Sequence, residues 1–218
     1  MFSRRIPWSL APNALTTALE AHRTSGRTLL DLTASNPTEA ALKYPREAVR
    51  TALSDEAALR YEPSPSGLPR AREAVARYYR EALDTDVDPA RVVLTASTSE
   101  AYAFLFKLLC DPGERILVPA PGYPLFDLLA ALESVAVDRY PLGYDGRWHY
   151  DPHALEQAVT PATRAVLCVH PNNPTGSFVK FAEIGAIAAV CARHGLAVIS
   201  DEVFADYAFG PDPARVPT

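Results

Sequence analysis

From Asp88 onward, short apolar runs alternate with longer stretches whose apolar residues recur at helical spacing, and no other feature restricts the chain as much. A run that short and that apolar suits a strand buried on both faces. A parallel neighbour is then reached only through a long crossover, usually a helix. The pattern therefore predicts βαβ units and an α/β fold with a mainly parallel sheet. Strands are expected at Val92 to Thr95, Ile116 to Val118, Val135 to Tyr140, Ala165 to Val169 and Ala197 to Ser200. Helices are expected at about Ser99 to Cys110, Leu125 to Glu133, Pro152 to Val159 and Phe181 to His194. Sheets of this kind bind ligands beyond the carboxyl ends of their strands, so the residues that follow each strand are the ones to read for chemistry.

The part before Asp88 is less regular. Asn13 can cap a helix running to about Thr24, which Gly26 then ends. Pro45 opens a second helix, and Leu68-Pro69 starts a long amphipathic one with Ala71, Ala74, Val75, Tyr78, Tyr79 and Leu83 on its apolar face. With 48% hydrophobic residues among 218, there is material for one substantial core. The net charge of -5, with both signs interspersed, gives no footprint for nucleic acid or an anionic membrane surface. Pro7, Pro12 and Asn13 interrupt the first residues, leaving neither a signal-peptide core nor a membrane span, so a cytoplasmic protein is expected. Cys110, Cys168 and Cys191 lie among apolar neighbours without metal-ligand spacing and read as free buried thiols.

Three strand ends stand out in composition. At Thr95-Ala96-Ser97-Thr98-Ser99-Glu100 a strand passes through small hydroxyl residues into a helix, where unpaired amides and a partial positive charge could cradle a phosphate. A serine cap with a glutamate behind it has the same composition. At His170-Pro171-Asn172-Asn173-Pro174-Thr175-Gly176, two prolines bracket two asparagines and fix the backbone that carries them. At Ser200-Asp201-Glu202-Val203 an acid closes an apolar strand, where it must be solvated, capping or functional.

The run Pro171-Asn172-Asn173-Pro174-Thr175-Gly176, with Asp201 28 positions after Asn173, resembles the class I and II aminotransferases of the aspartate aminotransferase fold, known as fold type I. Tyr61-Glu62-Pro63 with Gly67-Leu68-Pro69 and Arg72-Glu73-Ala74-Val75-Ala76 is similar to the family's block before its large domain. Pro121-Gly122-Tyr123-Pro124 is similar to the loop that carries its stacking aromatic. The resemblance runs from about Leu32 to Tyr207. It implies pyridoxal 5'-phosphate as cofactor, amino acid and 2-oxo acid substrates, and a homodimer. It assigns Asp201 to the pyridine nitrogen, Asn173 to the phenolic oxygen and Tyr123 to the ring face. Ser97, Thr98 and Ser99 fall to the phosphate, with Tyr61 reaching it from a neighbouring subunit, and Ser35 and Asn36 to the substrate loop. No metal is implied. The resemblance also divides the chain into an N-terminal arm with part of a small domain, residues 1–45, and an incomplete cofactor-binding large domain, residues 46–218.

Two departures qualify this. Phe204 stands where the family usually has a tyrosine that gives the phenolic oxygen a second donor. The family's covalently linking lysine lies downstream of the Asp201 strand, whereas Lys43, Lys107 and Lys180 all precede it, in contexts that match no such lysine. The chain is thus expected to be an amino-terminal part, inactive alone. The same scaffold also serves carbon-sulfur lyases and decarboxylases, and a non-catalytic cofactor-binding or regulatory module is the alternative outside enzymes.

Overall fold

The computed structural model describes residues 3, 5, 11–31, 36–39, 42–207, 210 and 212–216. The chain forms two compact units, Pro7–Ser64 and Pro65–Thr218 with Met1–Ile6. The smaller contains helices α1 (Ala14–Thr24) and α2 (Arg46–Leu53) and a 3-10 turn at Glu56–Leu59. Asn13 caps α1 as expected, its side chain accepting the Thr16 N–H at 2.8 Å.

The larger unit begins with α3 (Pro69–Leu83), whose proline sits at the helix start. After α4 (Thr98–Leu109) come β1 (Arg115–Ala120), α5 (Phe126–Leu132), β2 (Ala136–Tyr144) and β3 (Trp148–Tyr150). Then follow α6 (Pro152–Ala158), β4 (Thr163–Val169), α7 (Phe181–His194) and β5 (Ala197–Asp201). The sheet order is β3-β2-β1-β4-β5, with β2, β1, β4 and β5 parallel and β3 antiparallel at one edge.

The strands are apolar on both sides because both faces are covered. Ile116, Val118, Ala165, Leu167 and Val169 join Tyr102, Phe106, Phe126 and Ala130 from α4 and α5 in one core. The alternate residues Leu117, Val166 and Cys168 join Leu155, Ile187, Val190 and Cys191 from α6 and α7 in the other. All three cysteines are free and buried.

Two expectations need correction. Val92 to Thr95 is not a strand: the segment is irregular, Val93 is 59% exposed, and the Leu94 N–H bonds the Ser66 carbonyl at 3.0 Å instead of a ladder partner. Apolar composition favours extension, but a strand exists only where a neighbour satisfies its backbone. Conversely, β2 runs four residues beyond Tyr140 and turns back through Asp145-Gly146 into the unforeseen β3, with Gly146 at φ +101°. Asp-Gly at such a turn is a hairpin signal that the sequence reading passed over.

Candidate active site

Because β1, β4 and β5 are parallel, Ala120, Val169 and Asp201 finish at one edge of the sheet, and Val169 lies directly beside Asp201. The loops after these strands are tied together there. The His170 N–H donates to the Asp201 carbonyl at 2.8 Å, and the Asn172 side-chain amide donates to the Pro121 carbonyl at 3.0 Å and to Thr175 Oγ1 at 2.8 Å. In the loop after β1, a Cβ on Gly122 would lie 2.2 Å from the Pro119 carbonyl oxygen, so only glycine fits. That turn presents Tyr123, 40% exposed, edge-on to Phe126 with ring centroids 5.6 Å apart.

Within the Asn172-Asn173 pair the two side chains differ. Asn172 is buried and structural, although its Oδ1 is the one buried side-chain polar atom without a partner among the described residues. Asn173 is half-buried, and its side chain makes no hydrogen bond among the described residues, so its amide is available. His170 has its tautomer fixed: Nδ1 accepts the Val179 N–H at 2.7 Å, so Nε2 carries the proton and donates to the Val216 carbonyl at 2.9 Å. Burial pushes its pKa down, which keeps the ring neutral. It braces the loop and takes no part in the open edge.

Asp201 is held at both oxygens. Oδ1 accepts the Val203 N–H at 3.0 Å, and Oδ2 accepts the hydroxyl of Tyr102. Burial above all, then the bond to the carboxylate, pushes the Tyr102 phenol far up, so it stays protonated as the donor. Sequence reasoning missed this residue, which reads there as one more aromatic on an apolar helix face. A tyrosine one turn after the Thr98-Ser99 helix start was the available signal.

At the start of α4, Ser97 is the N-cap and accepts the Glu100 N–H at 3.2 Å, while Glu100 Oε2 accepts the Ala96 N–H at 2.6 Å. The serine cap is therefore real, with Glu100 tied to the residue before it and not to the Ser97 N–H of a full capping box. It leaves the amides of Thr98 and Ser99 without intrahelical acceptors and the Ser97 hydroxyl proton free to donate. Ser97 and Thr98 are exposed and Ser99 is half-buried.

In the smaller unit, Tyr61 is 91% exposed, and Asn36 is occupied locally, accepting from the Thr38 N–H at 3.0 Å and donating to Glu39 at 3.1 Å. Ser35 lies outside the described residues. Phe204 follows β5 with the Tyr207 ring against it at 6.1 Å, and Tyr78 donates to neighbouring Asp206 at 2.5 Å. The lysines have ordinary surroundings: Lys107 pairs with Glu133 at 2.6 Å, Lys180 with Glu183 at 2.8 Å, and Lys43 is exposed. No group of three or more potential metal ligands exists among the described residues.

The edge thus offers an oriented carboxylate, a free carboxamide, an exposed aromatic face and a helix N-terminus with spare donors. An anionic aromatic ligand with a protonated ring nitrogen fits this donor set.

Comparison with known proteins agrees. Residues 27–217 match the family "Aminotransferase class I and II". The chain is 32% identical over 190 residues to the aspartate/prephenate aminotransferase of Thermus thermophilus, covering 86% of this chain and 48% of that protein. Against nicotianamine aminotransferase 1 of Oryza sativa subsp. japonica it is 33% identical over 151 residues, 69% of this chain and 31% of the relative. Among solved structures, alanine aminotransferase from Pyrococcus furiosus superposes with a TM-score of 0.82 at 25% identity, over 100% of this chain and 56% of the other. The chain spans about a third to a half of the length of the first curated relatives it matches.

Proposed function

Given that the chain belongs to the class I and II aminotransferases, whose cofactor is pyridoxal 5'-phosphate, we propose that it provides the cofactor floor of an enzyme moving an amino group between an amino acid and a 2-oxo acid. The observation that carries this reading is the Asp201 carboxylate, held by two donors at the end of β5, beside the linked loops that follow β1 and β4. Bound pyridoxal phosphate supplies an electron sink for the bond broken at the substrate's alpha carbon.

In this reading Asp201 would hold a proton on the ring nitrogen, because an ionised carboxylate beside that nitrogen favours its charged form. The free Asn173 amide would donate to the phenolic oxygen, and Tyr123 would cover one ring face and fix its plane. The Ser97 hydroxyl, the Thr98 amide and the Ser99 hydroxyl would hold the phosphate, helped by the positive end of α4. Phe204 can donate nothing, so the phenolic oxygen would rely on Asn173. Tyr61, Ser35 and Asn36 complete the proposal, Tyr61 at the phosphate of a second copy in a homodimer and the other two at the substrate. With them goes the division into residues 1–45, an arm and part of a small domain, and 46–218, a partial large domain. Free buried thiols accord with a cytoplasmic setting, and no helix among the described residues is long and apolar enough to cross a membrane.

A carbon-sulfur lyase is the second reading, favoured by one observation: the S-alkyl-thiohydroximate lyase of Arabidopsis thaliana is 33% identical over 153 residues. The two part on products. Amino-acid analysis of a protein carrying these residues at the relatives' full length, supplied with an amino acid, a 2-oxo acid and the cofactor, should show stoichiometric amino-group exchange. Release of a thiol without exchange contradicts transamination.

A further inference from the structure

We propose that Tyr102 is a positioning residue for the cofactor's ring nitrogen, acting through Asp201. The inference rests on the cofactor reading above and concerns a side chain outside the roles assigned there. Its hydroxyl donates to Asp201 Oδ2 while the Val203 N–H occupies Oδ1. A carboxylate with one donor on each oxygen has its plane fixed and keeps further lone pairs for another donor.

The donor is itself immobile. Tyr102 is 5% exposed, stacked on Phe106 with centroids 5.7 Å apart and edge-on to Phe126 at 5.4 Å. Phe126 in turn meets Tyr123 edge-on. Tyr102 also lies four residues after Thr98 and three after Ser99 on α4, one turn from the proposed phosphate donors. One side chain therefore joins the helix that would take the phosphate, the loop that would cover the ring and the carboxylate that would take its nitrogen. Packing alone does not need the hydroxyl, since phenylalanine fills the same aromatic cluster. What phenylalanine would lose is the orientation of Asp201.

The test uses pyridoxamine 5'-phosphate, which binds without a lysine linkage, labelled with 15N in the ring, and compares the chain with Tyr102→Phe. The unaltered chain should bind it and keep the ring nitrogen protonated to higher pH than in free solution. Tyr102→Phe should weaken binding about fivefold to tenfold, the effect of one ordinary hydrogen bond, since the lost bond orients the carboxylate and does not touch the ligand. It should also lower the pH at which the nitrogen loses its proton, with affinity for inorganic phosphate unchanged. An unchanged or raised ring-nitrogen titration overturns the role of Tyr102. Absence of binding by the unaltered chain overturns the cofactor reading, and this inference with it. If Tyr102→Phe does not fold, 3-fluorotyrosine incorporated at position 102 gives the answer. Its 19F signal should move with pyridoxamine phosphate and not with inorganic phosphate, and equal responses overturn the proposal.

Discussion

At the scale of single residues, the edge of the sheet is built by positions that tolerate no exchange for reasons visible in their surroundings. A methyl group on Gly122 would collide with the Pro119 carbonyl, a backbone atom that cannot swing aside. Gly122→Ala should therefore lower unfolding free energy by about 1–3 kcal/mol, as overpacking does, measured by chemical denaturation. His170 makes a pH-dependent contribution whose sign follows from its bonds. Its folded pKa lies below the ordinary value of about 6.5, because burial disfavours the charged ring and Nδ1 must accept the Val179 N–H. Between the folded and unfolded pKa values the unfolded chain binds more protons, so stability is complete above about pH 6.5 and falls as the pH drops through that window. Denaturation midpoints from pH 7 downward should show the decline, and His170→Gln should flatten it. A slope unaltered by that substitution assigns the effect to another group. Tyr102 teaches a different lesson. The sequence offers Asp201 as a motif, but its partner lies 99 positions away on a helix whose face is otherwise apolar, and nothing local marks a hydroxyl as aimed at a carboxylate.

At the scale of elements, legibility in the sequence followed burial. β1 and β4 are covered on both faces and read correctly as continuous apolar runs. Val92 to Thr95 has the same composition without a pairing partner, so composition misleads there, and the short β3, with His149 between two aromatics, is set by its turn. The places of Asp201 at the end of β5 and of Asn173 in the loop after β4 were legible from composition, whereas the Tyr102 contact, made by tertiary packing, was not. In the proposed reading, Ser97 of α4 would combine a structural and a binding task. Ser97 accepts the Glu100 N–H as a cap, and its own proton remains free for a ligand. Ser97→Ala should cost about 0.5–2 kcal/mol of stability, the usual loss for a removed cap. Ser97→Asp restores the cap but places a negative charge at the helix start, and should recover stability without recovering phosphate affinity. Calorimetry of both variants separates the two tasks, and recovery of both by Ser97→Asp would contradict the binding role.

At the scale of the whole molecule, a sheet with two separate helical layers brings three loops to one edge, in a chain whose family uses pyridoxal 5'-phosphate. In the proposed reading the chain would supply groups for a ring nitrogen, a phenolic oxygen, a ring face and a phosphate, while its described lysines pair with glutamates or stand in solvent. Borohydride treatment of the chain with pyridoxal phosphate should accordingly yield no stoichiometric adduct on Lys43, Lys107 or Lys180 when peptides are mapped by mass spectrometry. In the proposed function this edge binds the cofactor through Asp201. Fluorescence titration of pyridoxamine 5'-phosphate against the unaltered chain and Asp201→Ala tests it most directly. Saturable binding of one ligand per chain is expected, weakened at least about tenfold by loss of the charged partner. Binding that is absent, or indifferent to Asp201, would contradict it.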